Sequence, residues 1–130
     1  MLKYSTQEQT AFLIDWDMLS IYLKVLGEPK RMRIFNLLME GVQCNCELGE
    51  RLGMPANLIS HHLAVLRQAG LVDAERDSTD SRWIHYSVNR EALARLNAAL
   101  QTFLDPSRIQ PRQPSCSTSG QRNESPETPS

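Results

Sequence analysis

The sequence predicts a mainly α-helical domain that ends in a small β-hairpin and one last helix, and three observations predict it. Apolar residues recur every three or four positions through most of residues 6–104. Two short helical stretches near the middle are separated only by a brief turn. Two strand-like runs flank a polar loop immediately after them. The predicted order is helix, helix, helix, helix, strand, strand, helix.

The first helix is expected over residues 6–26. Phe12, Trp16, Leu19, Leu23 and Leu26 share one face, and Ile14, Met18, Ile21, Tyr22 and Val25 make a second. A helix apolar on two sides is either central in a large core or shared with another subunit. A chain of 130 residues has room for one domain and no large core, so a dimer interface is the expectation. Gly27 ends this helix, and Pro29 takes the first position of the next. That second helix carries Met32, Phe35, Leu38 and Met39 at helical spacing and stops at Gly41.

A short helix is expected around Cys46–Leu52, ended by Gly53. Pro55 and Asn57 open another that runs to Gly70, with Ile59, Leu63 and Leu66 facing the core. Joined through Gly53–Asn57, the two have the proportions of a helix-turn-helix. Leu71–Arg76 and Arg82–Val88 read as strands around the polar loop Asp77–Ser81, where a wing belongs. Asn89–Leu104 closes the domain, with Leu93, Leu96, Leu100 and Phe103 in one stripe. The predicted fold is therefore a winged helix-turn-helix with extra helices at both ends.

Hydrophobic residues at 41% and charged residues at 22% are ordinary globular values. Composition shifts after Leu104: Pro106, Pro111, Pro114, Pro126 and Pro129 lie beyond it among Ser, Thr and Gln. Residues 1–104 are thus expected to form the domain and 105–130 a disordered tail. Glu8, Asp15 and Asp17 surround the only early apolar run, which does not suit a signal peptide. No apolar run approaches the roughly 20 residues of a membrane span. A cytoplasmic chain with reduced thiols and no membrane partner is expected. With no phosphate loop and no nucleophile–base constellation, an enzyme is not expected.

The formal net charge of −1 leaves no global basic footprint, so a nucleic-acid surface has to come from local charge placement. Pro55–Gly70 contains Arg67 and two histidines and no acid, as a phosphate-facing helix requires. Its first half offers Asn57, Ser60 and His61 to base edges in a major groove; the plainer role for Asn57 is a helix N-cap. Arg76 and Arg82 flank the wing loop, where they suit backbone phosphate or the minor groove. Their plainer role is a solvated charge paired with Asp73, Glu75 or Asp80.

Of three cysteines, Cys44 and Cys46 flank a single residue, which points to thiolate chemistry rather than a disulfide framework. A helix N-terminus lowers a thiol pKa, and soft thiolates select arsenite, antimonite, cadmium, lead, copper(I), or zinc with more donors. Residues two apart on a regular helix point in different directions, so an irregular or distorted first turn is expected if both grip one ion.

The stretches Leu23–Ile34 (LKVLGEPKRMRI), Asn57–Val72 (NLISHHLAVLRQAGLV) and Ser81–Tyr86 (SRWIHY) resemble the ArsR/SmtB winged-helix metalloregulators, in that family's order, over about residues 16–104. The resemblance implies a homodimer formed through the first and last helices. It further implies binding to an imperfect inverted repeat of operator DNA, with no cofactor needed, and release when an inducer binds. Ser60 and His61 fall on DNA-facing positions, His62 and Leu63 on more buried ones. Cys44 and Cys46 match the two ligands of the arsenite sensors' Cys-Val-Cys-Asp-Leu motif, which implies As(III) or Sb(III) as inducer. A third cysteine common in that motif is replaced by Gly49, and Cys116 is the candidate to complete the shell, its chain being able to stretch roughly 40 Å from Leu104. The family's zinc site on the last helix needs histidine, and Asn89–Leu104 has none; residues 1–43 hold no cysteine for a cadmium or lead site. Two rival readings stand: a thiol redox switch on the same fold, and a metal-binding or protein-interaction module without an operator.

Overall fold

The computed structural model describes residues 14–112. Helix α1 (Trp16–Leu26) starts at Asp15, whose carboxylate accepts from the Met18 N–H at 3.0 Å. The expected start of this helix at residues 6–13, with Phe12, lies outside the described residues. Glu28 caps α2 (Pro29–Met39) in the same way, accepting from the Arg31 N–H at 2.8 Å with Pro29 in the first turn. Then come α3 (Asn45–Leu52) and α4 (Ala56–Gln68), followed by the antiparallel strands β1 (Val72–Arg76) and β2 (Ile84–Val88). Helix α5 (Arg90–Phe103) is the last long element, capped by the Asn89 side chain. The element order is the one the periodicity predicts, and the architecture is a winged helix-turn-helix.

The core gathers where α2, α3, α4 and β1 meet, and Ile34, Leu48, Ile59, Leu63, Leu66 and Leu71 are sealed inside it. Burial of a Leu or Ile side chain contributes about 1.5–3 kcal/mol, so these six positions anchor the helix-turn-helix. The predicted stripe Ile59, Leu63 and Leu66 is the buried face of α4. In α2 the expectation is corrected. Its buried face is Ile34, Phe35, Leu37 and Leu38, while Met32 and Met39 are exposed, because this central helix is covered over adjacent positions rather than along one narrow stripe.

The two terminal helices pack together. Arg95 donates to the Tyr22 hydroxyl at 3.0 Å, and Trp16 meets Phe103 edge to face at 5.4 Å. Only Leu19 and Tyr22 of α1 are buried, and in α5 the buried line is Ala92, Leu96 and Ala99, with Leu93 and Leu100 beside it. Trp16, Ile21, Leu23 and Phe103 remain exposed.

Two further contacts shape the edges. The Tyr86 N–H of β2 donates to the Gln43 carbonyl at 2.9 Å, which sets the segment leading into α3 against the wing. Past Leu104 the chain is not structureless at once, as the proline content suggested. A short 3-10 turn, Pro106–Arg108, brings the Arg108 guanidinium to the Phe103 carbonyl at 2.6 Å, satisfying an orphan acceptor at the end of α5. No helix among the described residues is long and apolar enough to cross a membrane.

Candidate thiol site and nucleic-acid interface

Cys44 is not on the helix but is its N-cap. Its backbone is extended (φ −112°, ψ 149°), and its Sγ accepts from the Glu47 N–H at 3.4 Å, in place of the usual cap oxygen. Cys46 sits one residue inside α3. The 100° rotation between helical neighbours therefore does not separate the pair, and the two Sγ atoms lie 3.2 Å apart. The irregularity expected at the start of this helix is the break between cap and helix, which already brings the sulfurs together.

The expected lowering of the thiol pKa is corrected at Cys46. The hydrogen bond with Cys44 raises its pKa, with burial and the charge of Cys44 adding to the effect, against weaker lowering by the Glu47 and Cys46 backbone N–H groups. Two sulfurs in contact share a proton more readily than they lose both.

Gly49 explains its own presence. A Cβ built there falls 2.9 Å from the Met54 carbonyl oxygen, and the Met54 N–H bonds back to the Gly49 carbonyl at 3.1 Å. The turn between α3 and α4 crosses too tightly for a side chain, so the position of the third cysteine belongs to packing. Among the described residues no group of three His, Cys, Asp or Glu side chains is placed to hold an ion. Cys116 lies outside the described residues.

The recognition-helix candidates assemble as the sequence anticipates. Asn57, Ser60, His61 and Arg67 are all exposed on one side of α4, with Ala64 between them. The cap role for Asn57 is not what the fold uses, since Pro55 is the N-cap and Asn57 lies in the first turn. His62 is 5% exposed, and neither ring nitrogen has a hydrogen-bond partner among the described residues. Burial depresses its pKa, helped by Arg31 and opposed by the Glu28 carboxylate at 3.9 Å.

The wing is braced by Asp77. One carboxylate oxygen accepts from the N–H and hydroxyl of Thr79 and from the Asp80 N–H; the other lies 3.0 Å from His85 Nε2. The Thr79 and His85 contacts hold this carboxyl far below the ordinary range. Arg76 hydrogen-bonds the Ser81 carbonyl and so ties the hairpin closed. Arg82 forks onto the Asp80 carboxylate at 2.8 and 3.0 Å, yet its side chain is 85% exposed. Solvent screens an exposed pair of this kind, so a phosphate can displace Asp80.

One residue of the site carries no sequence signal by itself. The Asn45 amide, between the cysteines, donates to Ser60 Oγ at 2.8 Å. Only the packing of α3 on α4 pairs them.

Residues 28–74 match the model described as bacterial regulatory protein, arsR family. The arsenical resistance operon repressor of Staphylococcus xylosus is 34% identical over 82 residues, spanning 63% of this chain and 76% of that protein. A crystal structure described as a possible transcriptional regulator for arsenical resistance is 36% identical, with a TM-score of 0.54 over 62% of this chain and 81% of that one. The solution structure of a homodimeric winged helix-turn-helix DNA-binding domain from Mycobacterium bovis, a possible ArsR-family regulator, is 28% identical, with a TM-score of 0.54 over 81% of this chain and 91% of that one.

Proposed function

Because the chain belongs to the arsR family of bacterial regulatory proteins, we propose that it is a homodimeric transcriptional repressor that leaves its operator when Cys44 and Cys46 take up As(III) or Sb(III). The observation that carries the inducer is the 3.2 Å separation of the two sulfurs. Two thiols that already meet would offer one ion two soft donors, and soft thiolates select arsenite or antimonite. Cys116 or a small cellular thiol supplies the third sulfur.

Uptake of As(III) as arsenous acid exchanges two As–OH groups for two As–S bonds, and the two thiol protons leave with the displaced hydroxides as two waters. The exposed Trp16, Leu23 and Phe103 form the face on which a second copy packs; the Mycobacterium bovis domain is described as homodimeric. Dimerisation through α1 and α5 leaves both copies of α4 free, about 34 Å apart on successive turns of the groove. Asn57, Ser60 and His61 then meet bases, while Arg67, Arg82 and Arg76 meet phosphate. A coupling of about 1–3 kcal/mol between thiol site and operator changes affinity about 5–150-fold.

The test is operator binding by wild type and Cys44→Ser with and without arsenite, beside an arsenite titration of wild type and of a chain ending at Leu104. Arsenite is expected to release the wild type and leave Cys44→Ser bound. Equal release of both refutes the site. The sulfur contact also favours a second reading, in which peroxide takes two electrons from the thiols and yields a disulfide and two waters. Release by peroxide with no response to arsenite selects it.

A further inference from the structure

Asn45 has a sulfur donor on either side and a DNA-facing hydroxyl at its tip. Its amide contact with Ser60 Oγ at 2.8 Å is the sole side-chain hydrogen bond between α3 and α4 among the described residues. We propose that Asn45 is the positioning residue that carries the state of the cysteine pair to the reading face of α4; the inference rests on Cys44 and Cys46 being the inducer site.

The chemistry of a hydroxyl gives this contact a direction. Ser60 has one proton to donate and two lone pairs to accept with, and its rotor is otherwise free. While Asn45 donates to Ser60 Oγ, the serine proton points away from Asn45, outward from the exposed side of α4, where a base edge or phosphate accepts it. Without Asn45 the hydroxyl is free to turn back on the carbonyl four residues earlier, as helical serines do. Asn45 thus decides whether Ser60 presents a donor to DNA.

The backbone supplies the input. Asn45 shares a peptide plane with each cysteine, so an ion held by both sulfurs constrains the two residues that set its orientation. It is not occupied with capping, which the Cys44 sulfur performs. On the far side, the Gln43 carbonyl is held by the Tyr86 N–H of the wing at 2.9 Å. Below, Leu48 is fully buried and fixes the rest of α3. With both of these anchored, a change in the Cys44–Cys46 segment is expressed at the half-exposed Asn45 and its single partner.

The experiment uses the full-length protein, arsenite, and a duplex selected by the wild type from a randomised library. The readout is the ratio of Kd values with and without arsenite, together with arsenite stoichiometry. Asn45→Ala is expected to bind arsenite with wild-type stoichiometry, which also reports its folding, while the ratio falls about 2- to 10-fold, the worth of one hydrogen bond. Ser60→Ala is expected to lose the same part of the ratio and the double variant no more than either alone. Ser60→Thr, which keeps the acceptor, retains it. Asn45→Ala with the wild-type ratio overturns the relay alone, as does loss of arsenite binding in that variant. A wild type that ignores arsenite overturns the inducer reading itself.

Discussion

Replacing Gly49 by alanine sets two effects of opposite sign against each other. Inside a helix alanine is favoured over glycine by about 1 kcal/mol, so the change stabilises an unconstrained α3. Here the new methyl meets the Met54 carbonyl oxygen at 2.9 Å. That oxygen cannot easily retreat, because the Met54 N–H is bonded to Gly49 and Pro55 already holds the Leu58 and Ile59 N–H groups at the start of α4. Forcing a methyl into fixed packing costs about 1–3 kcal/mol. The clash therefore outweighs the propensity, leaving a net loss on the order of 1 kcal/mol, or about 4–8 °C in Tm. Urea and thermal unfolding followed by circular dichroism measure it, with Glu50→Ala on the exposed side of the same helix expected within about 0.5 kcal/mol of wild type. A Gly49→Ala protein as stable as wild type, or more so, refutes the claim that packing reserves this position. Gly49→Cys meets the same oxygen and is expected to fall on the same side.

His62 makes stability depend on pH. Its folded pKa lies below the unfolded value of about 6.5, because burial disfavours the cation. Between those two values the unfolded chain binds the extra proton, so stability is full above about pH 6.5 and falls as pH drops towards the folded pKa. The difference in urea midpoint between wild type and His62→Gln is expected to change across that interval, and a constant difference counts against a buried neutral imidazole. Arg82 and Arg67 are read through salt. Each phosphate contact contributes about 0.9 to the slope of log K against log salt, so losing either arginine from both subunits of a dimer is expected to flatten the slope by about 2. An unchanged slope for Arg82→Ala means that Asp80 keeps its partner on DNA.

The helix-turn-helix was legible because its determinants are local. Ile59, Leu63 and Leu66 follow the helical period, Pro55 and Gly53 punctuate the turn, and the absence of acids marks the outer face of α4. The terminal helices were harder to read. Two apolar faces on α1 announced a shared surface but not which residues the chain's own core would claim, and Leu19 with Tyr22 came one from each. In α2, Met32 and Met39 kept the helical period yet are exposed, because burial there follows what packs alongside.

For the candidate site, residue types and spacing were enough to single out Cys44 and Cys46 and the exposed row from Asn57 to Arg67, since thiolate softness and the charge of a helix face belong to the residues themselves. Whether two sulfurs converge depends on where a helix begins, and a start at Asn45 makes Cys44 its extended cap while Cys46 stands in the first turn. The closing of α3 on α4 leaves Gly49 no room for a side chain and joins Asn45 to Ser60, fifteen positions away. Distances of that kind are properties of packed elements, and no pattern within either helix encodes them alone.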